Sequence, residues 1–170
     1  MRYGLLSLVM FVAIPAHAAE TKVTAANAVE VTINSDDFSE RYEYVAPDIP
    51  IKEGGVSGSF FVAAVKKGKT PAIDAYQGFV IYSGDWRFYN SAVFRGGDVA
   101  KYTRTTGEVV SCRYGCTLSE KFTIDLSPAE IVKYANDGII QVQVRAQNTQ
   151  TFMISIPVSY IEAVNEVKKR

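Results

Sequence analysis

The chain has 170 residues, with 18 basic and 18 acidic side chains, two cysteines and one histidine. That balance excludes the basic surface of a nucleic-acid binder and gives no field for a strongly anionic target. The one histidine, His17, lies in a segment that reads as a removable leader, and a mature chain without imidazole cannot build the usual serine or cysteine triad or a histidine zinc site.

Residues 1–18 have the form of a secretory signal peptide. Arg2 gives the early positive charge, Leu5 to Ile14 the apolar run, and Ala16 and Ala18 the small residues of a cleavage site after Ala18. The apolar run is too short for a permanent bilayer span, and no cysteine follows it for lipid attachment. A soluble product is expected, periplasmic or secreted, with residues 19–170 as one exported β domain. About 150 residues suffice for one domain with a real core.

In chain order, Glu20 to Ala28 is polar or small and is expected to fray. Val29, Val31 and Ile33 alternate with Glu30 and Thr32 as a first strand, which Asn34 to Asp37 should end. Tyr42, Tyr44 and Val45 lie in an extended segment closed by Pro47 and Pro50. Ser59 to Val65 is apolar enough for a buried strand, and Ala72 to Ser83 follows after a polar turn. Ser83-Gly84-Asp85 reads as a hairpin into Trp86 to Arg95, and Gly96-Gly97-Asp98 as the next turn, into Val99 to Thr105. Thr106-Gly107 is expected as a further turn, which would make this region an antiparallel meander.

Glu108 to Leu126 holds both cysteines. Two cysteines four apart on a straight strand would lie roughly 13 Å apart, too far for a disulfide, so the chain must reverse at Arg113-Tyr114-Gly115. Cys112 and Cys116 then face each other across a hairpin mouth. Stepping outward pairs Val110 with Leu118 and Glu108 with Glu120. Glu120 stands out because it shares the parity of Leu118, Phe122 and Ile124, a buried face. Two opposed carboxylates need a cation such as Arg104, a shared proton or a bulge.

Ser127-Pro128-Ala129-Glu130 is a capping box that starts a short helix, which Gly138 should stop. Ile140 to Ala146 and Phe152 to Ile156 alternate as a second hairpin. Ser159-Tyr160-Ile161-Glu162 repeats the capping spacing before a terminal helix with Ile161, Val164 and Val167 on one stripe. About nine strands and two short helices give a mainly β fold: an antiparallel β-sandwich or a strongly curved sheet, with one helix at the C-terminus.

Three functions follow from this pattern. The first is a non-catalytic binding or interaction domain, taking a protein or glycan through Tyr82, Asp85, Trp86, Arg87 and Tyr89, where aromatics interleave with charge. The second is a carrier of a small apolar ligand such as a lipid, held beneath the terminal helix. The third is a hydrolase using Glu108 and Glu120 as an acid pair. No cofactor or metal motif is present in the sequence, and no catalytic residue stands out beyond that pair.

Overall fold

The computed structural model describes residues 18–113 and 115–170. The expected leader falls outside these apart from Ala18, as does the turn residue Tyr114. The strands are β1 (Ala18–Thr24), β2 (Glu30–Asp36), β3 (Arg41–Val45), β4 (Ile49–Ile51), β5 (Ser57–Lys67), β6 (Ile73–Ser83), β7 (Tyr89–Phe94), β8 (Val99–Ser111), β9 (Thr117–Asp125), β10 (Ala135–Asn136), β11 (Ile139–Ala146) and β12 (Thr151–Pro157). Helix α1 spans Pro128–Tyr134 and α2 spans Val158–Val167.

All twelve strands join one antiparallel sheet, in the order β1-β2-β3-β5-β6-β9-β8-β7-β11-β10, with β12 on β11 and β4 on β5. Of the two architectures expected, the curved sheet is the one present. Its fold-over lies in β8, whose first residues pair with β7 and whose remainder, from Lys101, pairs with β9. Phe122 on β9 marks where the two halves meet. Its ring lies 6.2 Å from Phe60, 5.5 Å from Tyr102 and 5.8 Å from Phe152, so rings from four strands fill the interior. Gly78 makes that packing possible: a Cβ there would sit 2.7 Å from the Phe122 ring.

Several expectations are corrected. Glu20 to Ala28 does not simply fray, because β1 pairs residue for residue with β2. Ser83-Gly84-Asp85 is not a hairpin turn: β6 pairs with β5 and β9, whereas β7 pairs with β8 and β11. The chain therefore passes from one part of the sheet to another between β6 and β7, and the meander is broken there. Thr106-Gly107 is a continuation of β8, which slips register at a bulge between Arg104 and Thr106.

The first helix keeps its capping box, with Ser127 and Glu130 bonding reciprocally. The terminal helix starts earlier than its Ser159 signal, at Pro157, with no side-chain cap. Its stripe is as expected: Ile161, Val164 and Val167 are buried, and Ala163 joins them.

Candidate functional site

The β6–β7 crossing is where the sequence-derived candidates gather, and its organiser is Glu120. This carboxylate is fully buried on the inner face of β9. Four donors converge on its two oxygens. Oε1 accepts from the Tyr82 hydroxyl and from the Phe88 amide at 3.0 Å, and Oε2 accepts from the Tyr89 amide at 3.2 Å and from Arg104 Nε at 2.6 Å. A buried charge is tolerable only when it is paired and hydrogen-bonded, and here both conditions hold.

The crossing segment bends to meet it. Phe88 adopts a left-handed backbone, φ 54°, unusual for a bulky aromatic. Such a conformation costs about 1–3 kcal/mol unless its surroundings enforce it. The enforcement is visible in consecutive amides, Phe88 and Tyr89, both turned onto one carboxylate.

Arg87 holds the other side of the crossing. Its guanidinium donates to the Gly54 carbonyl at 2.8 Å, the Gly55 carbonyl at 3.1 Å and the Tyr89 hydroxyl at 3.1 Å, and lies 4.5 Å from the Tyr82 ring centroid. Gly54 and Gly55 both have left-handed φ, so the turn before β5 can aim two carbonyls at one cation. The Tyr82 hydroxyl accepts from the Arg87 amide while donating to Glu120.

Burial pushes the Tyr82 hydroxyl up to about 12, opposed by the Arg87 amide and reinforced by Glu120. Tyr89 is raised by the same burial. Tyr102 is raised too, first by burial and then by the nearby Glu120 charge. Its hydroxyl is buried and has no hydrogen-bond partner among the described residues.

On this framework rests an aromatic shelf. Trp86 and Phe88 stack at 6.0 Å, and Arg104, held by Glu120, spreads beneath both rings at 5.6 and 5.4 Å. Trp86 is half-buried and Phe88 is exposed. Gly107 admits the indole to the sheet: a Cβ there would lie 2.9 Å from the Trp86 ring and would also run into the Arg104 guanidinium. Next to the shelf, from Thr103 to Ser111, β8 has β9 on one side and no strand on the other among the described residues. Cys112 and Cys116 close the tip of this arm, with Cα atoms 4.0 Å apart.

The candidates of the expected binding surface thus separate. Asp85 is exposed and Trp86 half-exposed, but Tyr82, Arg87 and Tyr89 are buried and serve as framework. Phe88, Arg104 and Gly107 complete the shelf. Arg104 was legible only as a possible counterion, and Gly107 only as a turn.

The acid pair is not assembled. The bulge between Val109 and Ser111 shifts the ladder by one on the way out from the disulfide, so Glu108 lies opposite Ser119 and Gly107 opposite Glu120; likewise Val109, not Val110, faces Leu118. Glu108 is solvent-exposed and binds Lys121 at 3.2 Å. Both devices that could resolve the expected carboxylate conflict, a bulge and Arg104, are in use. Glu120, saturated by donors and closed to solvent, has no free edge to offer a substrate.

A second concave feature lies under the helices. Tyr76, Leu126, Ile131, Val132, Val158 and Ile161 line a largely apolar groove of about 500 Å³ between α1, α2 and the start of β6, with Asp74 and Glu162 among its polar walls. No described helix is long and apolar enough to cross a membrane. No protein-family model, curated protein or solved structure matches the chain.

Proposed function

We propose that the protein is an exported binding module that takes its ligand on the Trp86–Phe88 shelf. The observation that carries this reading is the way the shelf is held. An aromatic pair, Phe88 exposed and Trp86 half-buried, with a cation beneath it rests on a strained backbone that a buried carboxylate network locks in place. A rigid aromatic pair recognises its ligand without first paying to order itself. The partner chemistry that suits it is a flat, weakly polar face: a sugar ring, or an aromatic or proline side chain of a protein. Export rests on the leader pattern and fits a disulfide at the exposed arm tip.

Trp86 is the only tryptophan, so its emission reports on the shelf alone. Titration with envelope glycans and with proline- or aromatic-bearing peptides is expected to shift that emission for one class. Phe88→Ala should weaken the same ligand about 10-fold, in line with the loss of one stacking partner. Emission unmoved by every ligand, together with a Phe88→Ala protein that captures the same partners as wild type, would reject the shelf.

A second reading has its own observation. The groove between α1 and α2 has the size and apolar lining of a small-ligand site. As a carrier, the protein would yield an apolar small molecule in organic extracts, and Val132→Trp, which fills the groove, would reduce the yield. Clean extracts from freshly isolated protein would remove this reading.

A further inference from the structure

We infer that β1 is a pairing edge for a second copy of the chain, joining two sheets antiparallel about a twofold axis through Thr21. An open strand edge is an invitation to another strand unless something blunts it. The other edges are blunted. The free side of β8 is broken by two bulges, β4 carries Pro50, β10 is only two residues long, and on β12 the Met153 amide donates to Glu53. Along β1 the ladder to β2 runs seven pairs without a shift, and its sequence contains no proline.

The backbone phase shows which groups are open. Ala25 N–H donates to the Val29 carbonyl across the β1–β2 turn, at 2.9 Å. Counting back in twos, Val23, Thr21 and Ala19 face β2, so Glu20, Lys22 and Thr24 turn their amides and carbonyls outward. These backbone groups have no strand partner among the described residues.

The side chains select the partner. For two copies to keep their core-facing sides together, residue i must meet a residue of equal parity, because a slip of one flips every side chain. An axis at Glu20 sets Glu20 against itself, and an axis at Lys22 sets Lys22 against itself. An axis at Thr21 sets Glu20 opposite the partner copy's Lys22 twice, on the solvent face, and Ala19 opposite Val23 twice on the core-facing side. Lys22 already holds Glu30 at 2.8 Å, and its ammonium has donors for both carboxylates. The chain's own near-zero net charge opposes no such association.

A contact of about six residues a side is small for a specific interface, so the dimer is expected to be concentration-dependent. Sedimentation equilibrium on wild type, Glu20→Lys and Lys22→Glu tests it. Each variant alone places like charges opposite each other and should raise the dimerisation midpoint about 10-fold. Mixed in equal amounts, the two variants regain complementary pairs and should associate as heterodimers at the wild-type midpoint. Thr21→Cys should form a covalent dimer on oxidation, because this pair is the closely spaced kind, whereas Thr24→Cys should not. The inference is overturned by a wild type that stays monomeric to millimolar concentration. Charge variants that associate like wild type, or crosslinking at residue 24 instead of 21, would overturn it equally.

Discussion

Replacing Glu120 by glutamine keeps the side chain's shape and removes its charge. One of its two oxygens becomes an amino group, which meets the Phe88 amide donor at the Oε1 position or the Tyr89 amide and Arg104 donors at the Oε2 position. Hydrogen bonds to a charged group contribute about 1.5–3 kcal/mol each. Breaking a buried ion pair by removing one partner costs about 3–5 kcal/mol, and here Arg104 loses its carboxylate. Taking the two together without counting the pair twice, Glu120→Gln should destabilise the protein by about 3–5 kcal/mol. At about 2–4 °C per kcal/mol for a domain near this size, the melting temperature should fall by roughly 10 °C. Urea unfolding followed by Trp86 emission and by circular dichroism measures the change, with the urea dependence unaltered. A loss below about 1 kcal/mol would refute the view that this carboxylate organises the crossing.

Tyr102→Phe removes a buried hydroxyl that has no partner, and should leave stability unchanged or raise it by up to about 1 kcal/mol, read in the same unfolding assay. Tyr82 and Tyr76 are each pushed up to about 12, mainly by burial. A raised folded-state value means that their contribution is intact below the ordinary tyrosine range and is lost as pH climbs from about 10 toward 12, so alkaline unfolding should coincide with late tyrosinate absorbance. Cys112→Ser with Cys116→Ser opens a very small ring at an exposed tip, and should lower stability by no more than about 2 kcal/mol, with the remaining circular dichroism spectrum preserved. Gly107→Val should displace the indole from β8, seen as a red shift of Trp86 emission.

How far the sequence could be read depends on the range of the forces involved. The arm hairpin, the β11–β12 hairpin and the capping box at Ser127 are local, set by alternation, a turn glycine and a cap, and each is where the pattern placed it. Glu120 signalled itself as a charge at a buried parity. Its true partners were hidden, because a bulge inside β8, between Val109 and Ser111, changes the count and leaves no mark in the like pair Val109-Val110. Ser83-Gly84-Asp85 has hairpin chemistry, but the strand that follows is claimed by β8 and β11, and two backbone amides are claimed by Glu120. Arg87 and Tyr89 look like surface residues because they are polar, yet each finds its partners in a turn or strand more than 30 residues away. Phe88 in a left-handed conformation has no sequence signal at all.

The crossing between β6 and β7 also dictates an order of events during folding. β6 cannot complete its ladder until Thr123 and its neighbours return to Gln77, while β7 must wait for Val142 to reach Phe94. Local hairpins can form early, but sealing Glu120 requires those distant segments to arrive together and shed its water in the last step. Chains dominated by such non-local pairing fold over milliseconds to seconds rather than microseconds. During that interval the half-made sheet leaves its ionised centre wet, so the rate of the final collapse should track the ease of dehydrating one carboxylate.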